Sequence, residues 1–273
     1  MSQEDLMKRT PEPRTRDSLA ADLAELGLRP GDTVLVHASL SALGWVNGGV
    51  VAVLGALMDR LTERGTLAMP AHSSELSDPS GWSHPPAPAE WWPLIRQTMP
   101  AYDPRRTPTY AIGRIAEAFR TWPDVVRSQH PAVSFAAWGQ HRQAITAGHE
   151  LDFGMGEGSP LARLYELNAK VLLLGVGYGV NSSFHLAEYR AAGARIEQQA
   201  APIQTADGRR WQTYREIEMR EDLFPAIGDD FESTHTIRRG QVGSADSRLF
   251  SQPAAVDFAT GWMDRWRQAN AAD

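Results

Sequence analysis

Hydrophobic positions recur along this chain in two rhythms, and the changes of rhythm mark its elements. Leu19, Leu23 and Leu26 fall at helical spacing within Asp17–Leu28, with Asp17 as the expected N-cap and Gly27 near the stop. A turn at Arg29–Asp32 leads into the apolar run Thr33–His37, which predicts a short buried strand. A loop of small residues, 38–49, separates it from an amphipathic helix over 50–63, and residues 66–70 predict a second strand. Strand, loop, helix and strand in that order imply a βαβ unit with parallel strands.

Residues 71–109 lack a regular pattern yet carry Trp82, Trp91 and Trp92, and disordered segments are poor in aromatics. An ordered loop of this length points to function. Helices are expected at about 112–121 and 140–147, a strand at 132–138, and a short helix after the loop Phe153–Leu161. The strand 169–177 runs into a helix that starts near Asn181–Ser183. Residues 196–219 read as a β-hairpin around Asp207-Gly208, and residues 253–270 as a closing amphipathic helix. The fold expected is a single α/β domain over 17–273, a mixed β-sheet flanked by helices with long irregular active-site loops. Residues 1–16, charged and proline-bearing, are expected to form a flexible leader.

Composition narrows the function. No apolar run approaches the roughly 20 residues of a membrane span, and the N-terminus lacks the apolar stretch of a signal peptide. The absence of cysteine removes disulfides, thiolate zinc sites and a cysteine nucleophile together, so a cytoplasmic location is the simplest expectation. A net charge of −6 argues against nucleic acid as a partner. Between Glu216 and Glu232 seven carboxylates face one base, Arg220, which reads either as a solvated acidic loop or as a surface that attracts a cation. The eight histidines are scattered without a metal-ligand spacing, so no metal is expected. Gly-x-Ser-x-Gly and P-loop patterns are absent, and "GVGYGV" matches a dinucleotide loop poorly.

His185 is the leading candidate for chemistry. It falls in the first turn of a helix that follows a buried strand, where open α/β folds collect ligands. The positive end of the helix dipole should keep it neutral and competent as a general base. An ordinary histidine bonded near a helix start fits the same pattern. Glu188, three residues on, either orients the imidazole or pairs with Arg195. Tyr214, Glu216 and Glu218 share one face of the predicted hairpin strand and offer another partner. The loop "HASLSALG" has the hydroxyls and backbone N–H groups to cradle a phosphate, although Ser39 and Ser41 are also common turn residues.

The segments "VLVHASLSALGWVNGG", "GTLAMPAHSSE", "VVRSQHPAVSFAAWG", "GEGSPLARLYELNAKVLLLGVGYGVNSSFHLAEYR" and "YREIE" occur in an order and spacing that resemble the aminoglycoside 3-N-acetyltransferases, the antibiotic N-acetyltransferase family. The likeness runs from about Asp17 to the last helix. It implies acetyl-CoA as donor, an aminoglycoside antibiotic as acceptor, acetylation of the 3-amino group of its 2-deoxystreptamine ring, and antibiotic resistance. The family's catalytic histidine, in N-[ST]-[ST]-x-H-L-x-E, matches His185, with Glu188 beside it. The family's acidic strand matches Glu216, facing the antibiotic, and Glu218, the favoured partner of the histidine. The loop that grips CoA matches His37, Ala38, Ser39 and Leu40, and an antibiotic-contacting acid matches Glu75 or Asp78. Ser159 and Arg127 lie in matching motifs without an assigned role. No covalent acyl-enzyme is expected, since neither cysteine nor a serine triad is evident. Two alternatives remain: an acetyltransferase of the same family for another amine metabolite, and a non-catalytic binder of cationic small molecules.

Overall fold

The computed structural model describes residues 3–270; residues 1–2 of the expected leader and 271–273 of the expected domain lie outside the described residues. In chain order the elements are α1 (Gln3–Arg9), α2 (Arg16–Leu26), β1 (Thr33–Ala38), α3 (Gly49–Leu61), β2 (Thr66–Pro70), α4 (Trp92–Thr98) and α5 (Gly113–Arg120). Then come β3 (Val126–Arg127), β4 (Phe135–Gly139), α6 (Arg142–Thr146), α7 (Pro160–Glu166), β5 (Lys170–Leu174), α8 (Ser183–Arg190), β6 (Ile196–Thr205) and β7 (Gly208–Ile217). The chain closes with α9 (Phe224–Thr234), β8 (Arg238–Val242), β9 (Ala245–Ser251) and α10 (Gln252–Ala269).

Seven strands form one mixed sheet in the order β3-β4-β2-β1-β5-β9-β8. Its centre is parallel: β1 pairs with β2 in the register Leu35↔Ala68 and with β5 in the register Leu35↔Val171. The outer pairs β2–β4, β3–β4, β5–β9 and β8–β9 are antiparallel. Alternation along the central strands builds a core on each face. Val34, Val36, Leu172 and Leu174 pack with Leu23, Val53, Leu57 and Phe119 of α2, α3 and α5. Leu35, Val171 and Leu173 face Phe184, Ile227, Phe231 and Val256 of α8, α9 and α10. The neighbours of β1 on its two sides diverge in the chain, so a crevice opens beyond the carboxyl ends of β2, β1 and β5, where such sheets bind ligands. No helix of the described residues is long and apolar enough to cross a membrane.

Several details differ from expectation. The cap of α2 is Thr15, not Asp17, because Thr15 and Ser18 form a reciprocal capping box. Within the expected leader, Thr10, Arg14 and Arg16 are bonded to the body of the domain. Trp45 N donates to Thr10 Oγ1 at 2.8 Å, Arg14 N to Trp45 O at 3.0 Å and Asn47 N to Arg14 O at 2.8 Å, while Arg16 makes a bidentate pair with Asp59. The 71–109 stretch contains α4 and two 3-10 turns. Much of the acidic stretch expected as a loop is α9, which buries Phe224, Ile227 and Phe231 and turns Asp229 and Asp230 outward.

Gly175 ends β5 in the left-handed region at φ +69, and a Cβ there would lie 2.4 Å from Ala42 Cβ and 3.0 Å from Ala245 Cβ. The glycine lets the loop after β1 close against the sheet. Gly175→Ala should lower unfolding stability by about 1–3 kcal/mol, the range for overpacking, as read by urea denaturation. Wild-type stability would show that the loop yields freely.

Candidate active site

Beyond β5 the chain makes a single 3-10 turn, and Asn181 Oδ1 accepts a hydrogen bond from Ser183 N at 3.2 Å as α8 begins. His185 occupies the third position of α8 and is 4% exposed. Its Nδ1 meets Glu188 Oε2 at 2.6 Å, the i to i+3 contact that a helix face provides. Glu188 is fully buried, and its other oxygen accepts a hydrogen bond from the backbone N–H of Arg220. That bond fixes the turn in which Glu221 follows, and Glu221 Oε1 stands 3.3 Å from His185 Nε2. The Phe224 ring packs against the imidazole with centroids 4.9 Å apart.

Burial alone would lower the His185 pKa, but hydrogen bonds and charge from Glu188 and Glu221 overcome it and push the pKa up to about 9. The shift therefore runs opposite to the lowering expected from the helix dipole. Two full negative charges within hydrogen-bonding reach outweigh the partial charge of a helix terminus. The same bond to His185 holds Glu221 below the usual carboxylate range.

A cleft of about 800 Å³ opens over this pair, at the carboxyl ends of β1 and β2. His37, Ala38, Ser39 and Leu40 all line it, together with His72, Arg114, His185 and Glu221. Ser39 N is committed to Leu174 O at 3.0 Å, and the Ser39 and Ser41 hydroxyls bond each other at 3.2 Å.

Residues 35–264 match the family model described as aminoglycoside 3-N-acetyltransferase. The chain belongs to that family. It is 51% identical to the SPbeta prophage-derived aminoglycoside N(3')-acetyltransferase-like protein YokD of Bacillus subtilis, over 94% of this chain and 95% of the relative. The crystal structure of YokD superimposes with a TM-score of 0.94 at 50% identity, covering 95% of this chain and 97% of that one. Aminoglycoside N(3)-acetyltransferase VII of Streptomyces paromomycinus is 38% identical over 95% of this chain and 94% of its own. A structure of AAC-IIIb as a binary complex with CoASH aligns with a TM-score of 0.83 at 35% identity, covering 93% and 97% of the two chains.

Within this acetyltransferase the other residues singled out from sequence take different places. Glu218 does not reach His185; it lies exposed past β7, with its N–H on Arg195 O at 2.8 Å and its Oε2 3.9 Å from Arg195 Nη1. Glu188, not Glu218, holds the imidazole, and the partner of Arg195 is Glu218 rather than Glu188. Glu216 faces inward as strand alternation requires, but outside the lining of the cleft. Its Oε1 accepts from Gly154 N at 2.8 Å and its Oε2 from the Tyr189 hydroxyl, and burial raises its pKa. It braces the hairpin against α8. Asp78 is committed to a bidentate pair with Arg96 at 2.7 and 2.8 Å, which pushes its pKa down to about 2. Glu75 is exposed and outside the cleft lining. Ser159 caps α7, and Arg127 ties Ala71 O and Thr107 O to the sheet edge, so both are accounted for structurally. Buried His130 and His149 are bonded to backbone carbonyls, and among the described residues no three His, Asp or Glu side chains gather as a metal site.

Sequence reasoning missed Glu221, His72 and Arg114. Glu221 was visible only as one acid among seven, because its placement rests on the bond from Arg220 N to Glu188.

The raised His185 pKa has a signed consequence. With a folded value of about 9 against 6.5 unfolded, the pairing stabilises fully below pH 6.5 and loses its effect as pH rises through 9. The stability difference between wild type and Glu188→Gln should therefore shrink between pH 6.5 and 9 in denaturant titrations. A difference that stays flat or grows over that window would place the His185 pKa near its ordinary value.

Proposed function

We propose that this protein transfers the acetyl group of acetyl-CoA to the 3-amino group of the 2-deoxystreptamine ring of aminoglycosides and so confers resistance to them. The observation that carries the reading is the imidazole anchored through Nδ1 on a buried carboxylate, with Nε2 beside a second carboxylate at the cleft. The names of the relatives and the CoASH complex of AAC-IIIb support the same donor and acceptor. The cleft suits an extended thioester: the His37–Leu40 loop runs along it, and the exposed Arg114 at the start of α5 offers a cation to a phosphate.

Glu221 is the docking point for the acceptor ammonium. As the cation takes Glu221, His185 loses one of the two anions that retain its proton, and its pKa falls toward the range of a working base. Once the ammonium and His185 have each released a proton to water, the neutral amine attacks the thioester carbonyl, His185 Nε2 accepts the proton that nitrogen then sheds, and Glu188 stabilises the imidazolium that forms. Attack is direct, without an acyl-enzyme; Ser39 and Ser41 bond each other rather than His185. The enzyme works in an aqueous, cytoplasmic setting.

A second reading, another amine metabolite as acceptor, is favoured by one observation. Glu216 and Asp78, expected to hold a polycation, are both engaged internally. Acetyl-CoA consumption measured against a panel of aminoglycosides, one lacking the 3-amine, and of simple monoamines separates the two. Turnover confined to 3-amino aminoglycosides supports the first.

His185→Ala should lower kcat by roughly 10²–10⁴-fold, as for a positioned general base, while calorimetry still detects CoA binding. Activity within a few-fold of wild type would remove the assignment.

Glu188→Gln should lower kcat in its own right, yet add little to His185→Ala in the double variant, because a positioning group needs its imidazole. Glu218→Gln should leave kcat nearly unchanged. Multiplicative losses in the Glu188 double variant would overturn the positioning role.

A further inference from the structure

Two imidazoles besides His185 border the cleft, and each leaves its Nε2 without a hydrogen bond. His37 is 7% exposed, and its Nε2 is buried without a hydrogen bond; Nε2 of His72 is in the same condition. Buried polar groups in folded proteins are nearly always bonded, so an orphan on the wall of a cleft marks a place where a ligand completes the bonding. Burial, with the nearby His185 charge second, lowers the His37 pKa to about 3, so the ring stays neutral at every working pH. A neutral imidazole is one N–H donor and one acceptor. Among the described residues no group bonds Nε2 to fix which nitrogen carries the proton, which leaves the ligand free to select the tautomer.

Position distinguishes His37 from His72. His37 lies next to the end of β1 and immediately precedes Ala38–Leu40, where the reading above lays the pantetheine. The thioester carbonyl must lie between that loop and the amine at His185. Two backbone donors of the loop are already engaged: Ser39 N binds Leu174 O at 3.0 Å and Ala42 N binds Ser39 O at 3.2 Å.

We propose that the His37 imidazole is the hydrogen-bond donor to the thioester carbonyl oxygen, and to the oxyanion that forms from it. The inference rests on the acetyl-transfer reading. The amine lone pair forms the C–N bond and the carbonyl π pair moves to oxygen, where His37 N–H stabilises it without giving up its proton. The proton released from nitrogen goes to His185. Collapse of the intermediate restores C=O, breaks C–S, and the thiolate of CoA takes the proton back from His185. A neutral donor suits this place, since a second imidazolium would be repelled by a protonated His185.

The test compares His37→Phe and His37→Leu, which remove the donor, with His37→Asn, which keeps an N–H. Steady-state kinetics should show kcat lower by about 10²–10³-fold in the apolar variants, with the KM for acetyl-CoA, the calorimetric Kd of CoA and Tm little changed. His37→Asn should recover at least tenfold of that loss. Isotope-edited infrared spectra of acetyl-CoA labelled with ¹³C at the carbonyl provide a readout that needs no acceptor. The bound carbonyl band should lie at lower wavenumber with wild type than with either apolar variant that folds. An identical band in wild type and those variants, or a loss confined to KM, overturns the donor role. Wild type that turns over no amine while shifting the band would instead count against the acetyl-transfer reading alone.

Discussion

Glu188 is the side chain on which the arrangement of the site depends. A carboxylate removed from water must be paired on both oxygens or it destabilises the fold by several kcal/mol. Here one oxygen orients the His185 ring and the other holds the backbone N–H of Arg220. The base and the loop that presents Glu221 are thus set by a single group. The end of α8 is held in turn from α10, where Arg267 donates to the carbonyls of Glu188, Ala191 and Ala192. A surface ion pair would leave these distances loose; burial makes them definite.

The sheet supplies the other half of the geometry. The carboxyl ends of three parallel strands meet where β1 is flanked by β2 on one side and β5 on the other. β1 delivers the loop beginning at Ala38, and β5 delivers α8. Gly175 permits the first to approach the second, since any side chain there would meet Ala42. The cleft is in this sense a product of strand order and one missing Cβ.

The fold was legible wherever burial imposed a local period. The central strands, α2, α3, α10 and the β6–β7 hairpin follow alternation or helical spacing read over ten residues or so. β8 and β9 went unseen because Arg238, Arg239, Asp246 and Arg248 give the pair the look of a polar loop, although Ala245, Ser247 and Leu249 alternate inward. α9 was hidden by its acids, since charge count drew attention from Phe224, Ile227 and Phe231. β4 begins later than expected because His130 Nδ1 accepts from Ala132 N and Val133 N and holds those residues in a turn. In the site, His185 and Glu188 are close in sequence and could be named together. Glu221 meets them across a long stretch of chain, and no local pattern carries that information. For Glu216 the direction of the side chain followed from alternation, while its engagement with Tyr189 and Gly154 did not.

The pairing of β1 with β5, Val36 opposite Leu172, joins an early segment to one well past mid-chain, and β5 is completed on its other side by β9 near the C-terminus. Non-local pairings of this kind must absorb the entropy of closing long loops before they stabilise anything, and they slow folding. On the ribosome, β1 and β2 emerge with one edge of the parallel centre open until β5 arrives, and β5 stays open until β9 follows. The nascent chain therefore displays an apolar strand edge from the emergence of β1 to that of β9, and its yield in the cell depends on what shields that edge in the interval.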